Sequence, residues 1–147
     1  MPGPFHATRR VEFCHTDAAG LMHFASFFYF MEQAEHEWLR SQGLSVFMHD
    51  ERGPISWPRV AAKCEYRSAA RFEDLLEIEV RVARLGTKSM TYAFRFRCGE
   101  TEIAVGEITA VCCRLSDHAP PQPIEIPAWF REKLANLTLT SDLTTDL

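Results

Sequence analysis

The sequence lacks the features of membrane, secreted and nucleic-acid-binding proteins. No apolar run reaches the roughly 20 residues that a membrane helix needs, and no basic stretch followed by an apolar one marks a signal peptide. Lys and Arg (16) are fewer than Asp and Glu (20), so the net charge is -4. A chain of this charge is not expected to bind nucleic acid or an anionic membrane as its main task. We therefore expect a cytoplasmic protein whose partner is a small molecule.

The sequence also has no disulfide framework and no metal-binding module. Its five cysteines are odd in number, and none stands in a Cys-x-x-Cys pair. His15, His23 and His36 lie at spacings that no structural zinc module uses. We expect free, buried thiols and no metal.

What is present is enough apolar sequence for one domain. Hydrophobic residues make up 46% of the 147 residues, and no internal repeat or linker divides the chain. We predict a single domain over residues 1–136. The segment 137–147, rich in Thr, Leu and Asp without sustained periodicity, is predicted to be a flexible tail.

The hydrophobic pattern predicts an α+β fold with an antiparallel meander. The helix Ser26–Ser41 is unusually apolar, as expected for a helix that a sheet covers on more than one side. The region His49–Pro58 carries charges, glycine and proline and is predicted to be a loop. The predicted strands are Ala7–Phe13, Arg59–Tyr66, Leu75–Leu85, Ser89–Cys98 and Glu102–Leu115, and a short helix begins at Pro127.

The most informative segment runs from Val11 to Glu32. A lone carboxylate (Asp17), a glycine (Gly20) and a histidine (His23) stand between a strand-like run and the apolar helix. This order resembles the signature of the 4-hydroxybenzoyl-CoA thioesterase-like branch of the hotdog fold. The resemblance implies a curved antiparallel sheet of about five strands wrapped around a long central helix. It also implies an acyl-CoA thioesterase that hydrolyses an acyl- or aroyl-CoA to the free acid and CoA.

The resemblance assigns roles to the three residues of the signature. Asp17 acts as nucleophile or general base beside the start of the helix, where free backbone N–H groups favour negative charge. Gly20 allows the backbone to approach the acyl group closely. His23 contacts the substrate or takes part in the chemistry. Coenzyme A is part of the substrate, so no cofactor is implied, and active sites built between subunits imply a homodimer or homotetramer.

The sequence departs from the family pattern along the helix. The usual histidine stands one position later, where this chain has Phe24, and Phe27 replaces a common tyrosine. Both aromatic rings are predicted to pack against the acyl group. The arginine that usually ends the helix motif is missing. Glu32, expected among apolar neighbours with a raised pKa, is a further candidate for the pocket.

Three more residues are candidates for substrate binding. Lys88, with Arg84 in a lesser role, flanks the turn at Gly86, where the resembled enzymes meet the nucleotide phosphates of coenzyme A. Trp57 follows a proline- and glycine-containing segment and is a candidate for lining the acyl pocket or a subunit contact.

Several alternatives stay open from the sequence. Asp17 to Gly20 also reads as an ordinary turn in which the aspartate bonds its own backbone. His15, Asp17 and His23 form a weak candidate for a metal site. A hotdog dehydratase or hydratase with a His–carboxylate pair, and a non-catalytic acyl-CoA-binding module, are the two rival functions.

Overall fold

A computed structural model describes residues 3–137, so most of the predicted tail lies outside the described residues. The elements are β1 (Phe5–Arg10), a 3-10 turn (Phe13–His15), α1 (Ser26–Ser41), β2 (Met48–Asp50), β3 (Gly53–Ser56), β4 (Arg59–Tyr66), β5 (Leu75–Leu85), β6 (Ser89–Cys98), β7 (Thr101–Val111), β8 (Cys113–Ser116), β9 (Ala119–Pro123) and α2 (Ala128–Ala135).

The main sheet has five antiparallel strands in the order β1-β5-β6-β7-β4. Its strands follow the alternation of the sequence: on β6, for example, Tyr92, Phe94 and Phe96 are buried, whereas Ala93 and Arg95 between them are partly exposed. The bounds of α1, β4, β5 and β6 confirm the sequence prediction. β4 lies at one edge of the sheet, and β1 lies at the other.

Helix α1 packs against one face of this sheet. Its Phe27 ring meets Phe96 on β6, with ring centroids 5.2 Å apart. Met31 lies against Gly106 on β7, where a Cβ atom would stand 2.4 Å from the Met31 Cε atom. A side chain at position 106 would therefore require the Met31 side chain to move. The contact fixes how closely the middle of α1 approaches the sheet.

A second, smaller sheet corrects the sequence prediction. The predicted loop His49–Pro58 contains β2 and β3, which pair with β8 and β9 in the order β2-β3-β8-β9. Within this sheet, the Arg114 guanidinium on β8 donates two hydrogen bonds, of 2.6 and 3.0 Å, to the Asp50 carboxylate on β2. Gly53 and Pro54 in β3 suggested a loop, but the strand is short and needs few ladder bonds.

Two further strand boundaries differ from the prediction. The predicted strand Glu102–Leu115 is interrupted at Cys112, whose backbone N–H donates to the Lys88 carbonyl and whose carbonyl accepts from Ile124. The first strand ends at Arg10 rather than Phe13, because the chain turns there into the 3-10 turn. The break at Cys112 leads the chain from β7 of the main sheet to β8 of the second sheet.

The five-stranded sheet has two chemically different ends. We call the Asp17 end the one where β4 ends at Tyr66 and β5 begins at Leu75. We call the Arg59 end the opposite one, where β4 begins and the turn from Gly86 to Lys88 joins β5 to β6. The 11 residues of β5 separate the two ends by about 30 Å of strand.

Candidate active site

Asp17 lies in an exposed turn at the Asp17 end, between the 3-10 turn and α1. Its Oδ1 atom accepts hydrogen bonds from the backbone N–H groups of Ala19 (2.9 Å) and Leu21 (3.2 Å). Gly20, with φ of +79°, closes the turn. The local bonding of an ordinary aspartate turn is therefore present, and it fixes one oxygen of the carboxylate.

The turn is bonded to the loop that follows β4. The Met22 N–H donates to the carbonyl of Ala70 (2.7 Å), and Leu21 bridges to Arg71 in the loop that follows β4. The Asp17 N–H donates to the Leu21 carbonyl at 2.8 Å. Asp17 is thus positioned by backbone bonds, which do not depend on the identity of neighbouring side chains.

His23 stands between this turn and the first residue of α1. Its Nδ1 atom accepts from the Ala25 N–H at 3.1 Å, and its ring stacks on Phe24 with centroids 4.6 Å apart. The His23 backbone also bonds that of His15 at 2.8 Å. Helix α1 has no side-chain cap at its N-cap residue Ala25. Within this first turn, the N–H groups of Ser26 and Phe28 donate to the carbonyls of His23 and Ala25 at 2.9 and 3.1 Å.

The aromatic residues near the helix start differ in exposure. Phe24 is 65% exposed, whereas Phe27 is buried between Phe96 and Tyr66. The Tyr66 hydroxyl donates to the Phe24 carbonyl at 2.8 Å. Burial, with smaller effects from the neighbouring Cys64 thiol, raises the pKa of Tyr66 to about 12, so this hydroxyl keeps its proton. Phe24 is therefore open to solvent, whereas Phe27 belongs to the core.

The buried carboxylate of α1 is Glu35 and not Glu32. Glu32 is exposed, so the expectation that it lies among apolar side chains was wrong. Glu35 is 1% exposed and accepts a hydrogen bond of 2.5 Å from Arg59 Nη2. Burial raises the pKa of Glu35, and the Arg59 charge and hydrogen bond oppose that shift. Sequence reasoning missed this pair.

A signal for Glu35 was present in the sequence. Met31, Glu35 and Leu39 are spaced by four residues, so they lie on one face of α1, and Met31 and Leu39, one turn before and after Glu35, are apolar. Helical periodicity alone thus places Glu35 on the buried stripe. Its partner, Arg59, could not be found in this way, because it comes from the edge strand 24 residues away.

His36 and Arg59 each carry a nitrogen without a partner. Arg59 Nη1 and His36 Nε2 are inaccessible to solvent, and no hydrogen-bond partner for them exists among the described residues. Desolvation lowers the pKa of His36, while the Glu32 charge opposes the shift and the Arg59 charge adds to it. The imidazole is therefore neutral near pH 7.

The residues predicted to bind coenzyme A lie away from Asp17 in this chain. Lys88 and Arg84 are exposed at the Arg59 end, and the Arg84 guanidinium reaches the Thr91 hydroxyl at 3.4 Å. Trp57 is buried against Phe130 of α2, with ring centroids 5.0 Å apart. The structure brings together Asp17, Gly20, His23 and Phe24, but not Lys88, Arg84 or Trp57.

Within residues 3–137, no three His, Cys, Asp or Glu side chains are placed to hold a metal ion. The Nδ1 atom of His15 accepts from the Glu12 N–H at 2.9 Å, as that of His23 does from Ala25. All five cysteines are free, but only Cys112 and Cys113 are buried; Cys14 is exposed and Cys64 and Cys98 are half-buried, so the expectation of buried thiols was wrong for these three. No helix of the described segment is long and apolar enough to cross a membrane.

Comparison with known proteins identifies the family. Residues 11–134 match the model of the thioesterase-like superfamily. A putative esterase of Aquifex aeolicus is 29% identical over 114 residues, which cover 78% of this chain and 87% of the relative. A 1,4-dihydroxy-2-naphthoyl-CoA hydrolase of Prochlorococcus marinus is 32% identical over 99 residues, or 63% of this chain and 66% of the relative.

The fold agrees with this assignment. A crystal structure of a 1,4-dihydroxy-2-naphthoyl-CoA thioesterase from Synechocystis has a TM-score of 0.78 to this chain at 20% identity, and the match covers 92% of this chain and 98% of the other. The matched segment contains the whole signature from Val11 to Glu32 and four of the five strands of the main sheet, β4 to β7. The chain belongs to the thioesterase-like superfamily, with the hotdog-type fold of a thioester hydrolase.

Proposed function

We propose that this protein hydrolyses an acyl- or aroyl-CoA thioester to the free acid and CoA, with Asp17 as the catalytic carboxylate. The observation that carries the proposal is the state of that carboxylate. Oδ1 is held by two backbone N–H groups, whereas Oδ2 accepts no hydrogen bond from residues 3–137. One oxygen is thus fixed and the other is available beside the start of α1.

The Asp17 carboxylate can act by either of two routes in this proposal. As a nucleophile, Oδ2 attacks the thioester carbonyl, the CoA thiolate leaves, and water hydrolyses the resulting anhydride. As a general base, Oδ2 takes a proton from a water whose oxygen attacks the same carbonyl; the tetrahedral intermediate then expels the CoA thiolate, which takes up that proton. In either case the developing oxyanion lies near the start of α1, which has no side-chain cap. The reaction requires no metal or prosthetic group.

Several residues of the site have supporting roles in this proposal. Gly20 admits the substrate to the turn, His23 contacts the thioester, and Phe24 packs against the acyl group. The 32% identity to an enzyme named as a hydrolase of an aroyl-CoA supports an aromatic acyl group. Phe27 then acts as a buried support of the pocket wall, Trp57, which lies at the Arg59 end, supports the subunit contact, and Glu32 lies at the rim, where it is exposed.

We further propose that the complete site forms between two subunits. Strand β4 is a sheet edge of eight residues, and its Val60 is 62% exposed. A second copy that pairs antiparallel with this edge covers its unpaired backbone groups. Antiparallel pairing also brings the Arg59 end of one subunit beside the Asp17 end of the other. Lys88 of the partner subunit can then serve Asp17, whereas the Lys88 of the same chain lies about 30 Å of strand away.

The remaining parts of the proposal concern assembly and location. A homotetramer of two such dimers with α1 as the central helix of each subunit is the assembly we propose, with residues 1–136 as its single domain. The five free cysteines support a reducing compartment such as the cytoplasm.

The test is release of free thiol from a panel of acyl- and aroyl-CoAs, with enoyl-CoA absorbance followed in parallel. We expect thiol release that is lost in Asp17→Asn, and no change in enoyl-CoA absorbance. Reversible hydration of enoyl-CoA without thiol release would instead identify a hydratase. Tight binding of acyl-CoA with neither reaction would identify a binding module.

A further inference from the structure

A linker of three residues, 23–25, connects the Asp17 turn to helix α1. In the proposed reaction the oxyanion develops near the start of this helix, so the linker decides how the helix start faces the Asp17 carboxylate. The N-cap residue, Ala25, has a methyl side chain and makes no capping hydrogen bond to the first turn. Contacts other than a helix cap must therefore hold the linker in place.

One side of the linker is bonded to the 3-10 turn of the same loop. The carbonyl of His15 accepts from the His23 N–H at 2.8 Å and from the Ser26 hydroxyl at 3.1 Å. This attachment is local, because His15 and Ser26 are only 11 residues apart in the sequence. It is also doubled, so that loss of either donor leaves the other in place.

The other side of the linker is bonded to the main sheet. The Tyr66 hydroxyl, at the end of β4, donates to the Phe24 carbonyl at 2.8 Å. In a helix extended toward its N-terminus, the Phe28 N–H would donate to that carbonyl, but it donates to Ala25 at 3.1 Å. The Phe24 carbonyl thus stands outside the helical hydrogen-bond ladder. Within residues 3–137, no other side chain of the main sheet bonds the linker.

The core fixes the direction of the Tyr66 side chain. Its ring meets that of Phe27 on α1 with centroids 5.1 Å apart, and Phe27 packs in turn on Phe96 of β6. The position of the hydroxyl therefore depends on the sheet and the helix and not on the loop that it holds. Burial raises the pKa of Tyr66 to about 12, so the hydroxyl keeps its proton and continues to donate in neutral and mildly alkaline solution.

The need to satisfy a buried polar group does not explain this bond. The bond lies at an exposed position, where water can replace either partner, so its net contribution to stability is small. Water cannot supply a fixed position for the linker. A hydroxyl carried by the edge strand can, because it joins the linker to the sheet across 42 residues of sequence.

We propose that Tyr66 is a positioning residue, whose hydroxyl fixes the linker, and with it the start of α1, relative to the Asp17 carboxylate. This inference rests on the proposed thioesterase function. Tyr66 acts through the Phe24 carbonyl and not by contact with the reacting atoms. Misplacement of the helix start weakens stabilisation of the transition state more than binding of the substrate, so loss of the bond should lower kcat and leave KM nearly unchanged.

The first experiment removes the hydroxyl alone. Tyr66→Phe keeps the ring and its contact with Phe27, and we expect kcat to fall about fivefold to tenfold while KM for the acyl-CoA stays within about twofold. Tyr29→Phe is the matched control, because Tyr29 is 66% exposed on α1 and should keep the wild-type kcat. Wild-type kcat in Tyr66→Phe, or a rise in KM alone, would overturn the inference.

A second experiment separates the hydrogen bond from packing. Replacement of all three tyrosines by 3,5-difluorotyrosine makes the phenols more acidic, and a phenolate cannot donate to a carbonyl. Activity should therefore fall at a lower pH in the fluorinated protein than in the unlabelled one, which carries the same neighbouring Cys64 thiol. Fluorinated Tyr66→Phe, labelled only at Tyr29 and Tyr92, should show no such change. Identical pH profiles of the fluorinated and unlabelled wild-type proteins would contradict the inference.

Failure of the inference is distinct from failure of the proposed function. Asp17-dependent hydrolysis that Tyr66→Phe leaves unchanged contradicts only the inference. If no thioester is hydrolysed, hydrogen exchange still tests the positioning of the linker. Amides in a peptide covering residues 22–28 should exchange about threefold faster, or more, in Tyr66→Phe than in the wild-type protein and in Tyr29→Phe. Equal exchange in all three proteins would overturn the assignment.

Discussion

The two ends of the five-stranded sheet place polar groups in opposite ways. At the Asp17 end, an exposed carboxylate is held by backbone N–H groups of its own turn, so its position depends on local chain geometry. At the Arg59 end, a buried carboxylate is held by a side chain 24 residues away, so its position depends on the packing of α1 on β4. The first arrangement tolerates changes in the core, whereas the second is sensitive to them.

The largest expected effect is at the Asp17 end. Asp17→Asn keeps an Oδ1 acceptor for the Ala19 and Leu21 N–H groups, so the turn and the fold should persist. The amide can act neither as nucleophile nor as base, and kcat should fall about 10³-fold or more. Steady-state thiol release and circular dichroism measure the two outcomes. Asp117→Asn, the same change at an exposed turn, is the control and should be silent. More than a tenth of wild-type activity in Asp17→Asn would place the chemistry elsewhere.

The second prediction tests the packing that joins the two ends. Gly106→Ala introduces a Cβ atom 2.4 Å from Met31 Cε, so the Met31 side chain must leave its place in the core. We expect a loss of about 2 kcal/mol in the free energy of unfolding, measured by urea denaturation. In a Met31→Ala background the same substitution should cost less, since the clash is removed. An equal cost in both backgrounds would show that the strand and not the helix contact is responsible.

The third prediction asks whether the two ends meet across subunits. Lys88→Ala should raise KM for acyl-CoA about fivefold at low salt and leave kcat nearly constant, because phosphate contacts bind ground and transition states alike. Hydrolysis of acyl-pantetheine, which lacks the nucleotide, should not change.

Mixed dimers of Asp17→Asn and Lys88→Ala subunits sharpen this test. If Lys88 serves the Asp17 of its partner, each mixed dimer contains one intact site, and the low KM should return with about half of the wild-type kcat. Mixtures without such recovery, or an active monomer by sedimentation, would place both residues in one chain.

The smallest expected effect concerns the second sheet beyond the Arg59 end. The hydrogen bonds from Arg114, with a further one from the Arg52 N–H, hold the pKa of Asp50 below its usual range. The folded state therefore binds fewer protons than the unfolded state, and the stabilisation is present above about pH 4 and lost as the pH falls through the pKa of the folded state. Asp50→Asn should lower Tm modestly at pH 7, and the difference should narrow in acid. A difference in Tm between the two proteins that stays constant from pH 7 to pH 3 would contradict this prediction.

The sequence predicts the Asp17 end better than the Arg59 end for a physical reason. Asp17, Gly20 and His23 lie within seven residues, so their spacing carries the geometry of a local turn. The pair of Glu35 and Arg59 joins a helix to an edge strand, and no local pattern encodes that contact. Glu35 could be placed on the buried face by helical periodicity, but the identity of its partner required the sheet order. The short strands β3 and β9 were missed because they contain glycine and proline, and β2 was missed because three residues are too few to show an alternating pattern.

The strand register beside Arg59 has a consequence for how this family can change. Between Arg59 and Ala61 the pairing of β4 with β7 shifts, so Val60 is an extra residue in the strand. Arg59 opposes Ala110, and Ala62 opposes Ile108, so Arg59 and Ala62 project from the same face of the sheet although three positions separate them. If the same residues paired without this bulge, Val60 instead of Arg59 would pair with Ala110 and share that face, and Arg59 would project from the opposite one. A one-residue change in pairing register, with no substitution at all, is therefore enough to add or remove a polar group on the helix side of the strand. Alignments of relatives should therefore allow for this extra residue before the residues that pair with the position of Ala110 are compared.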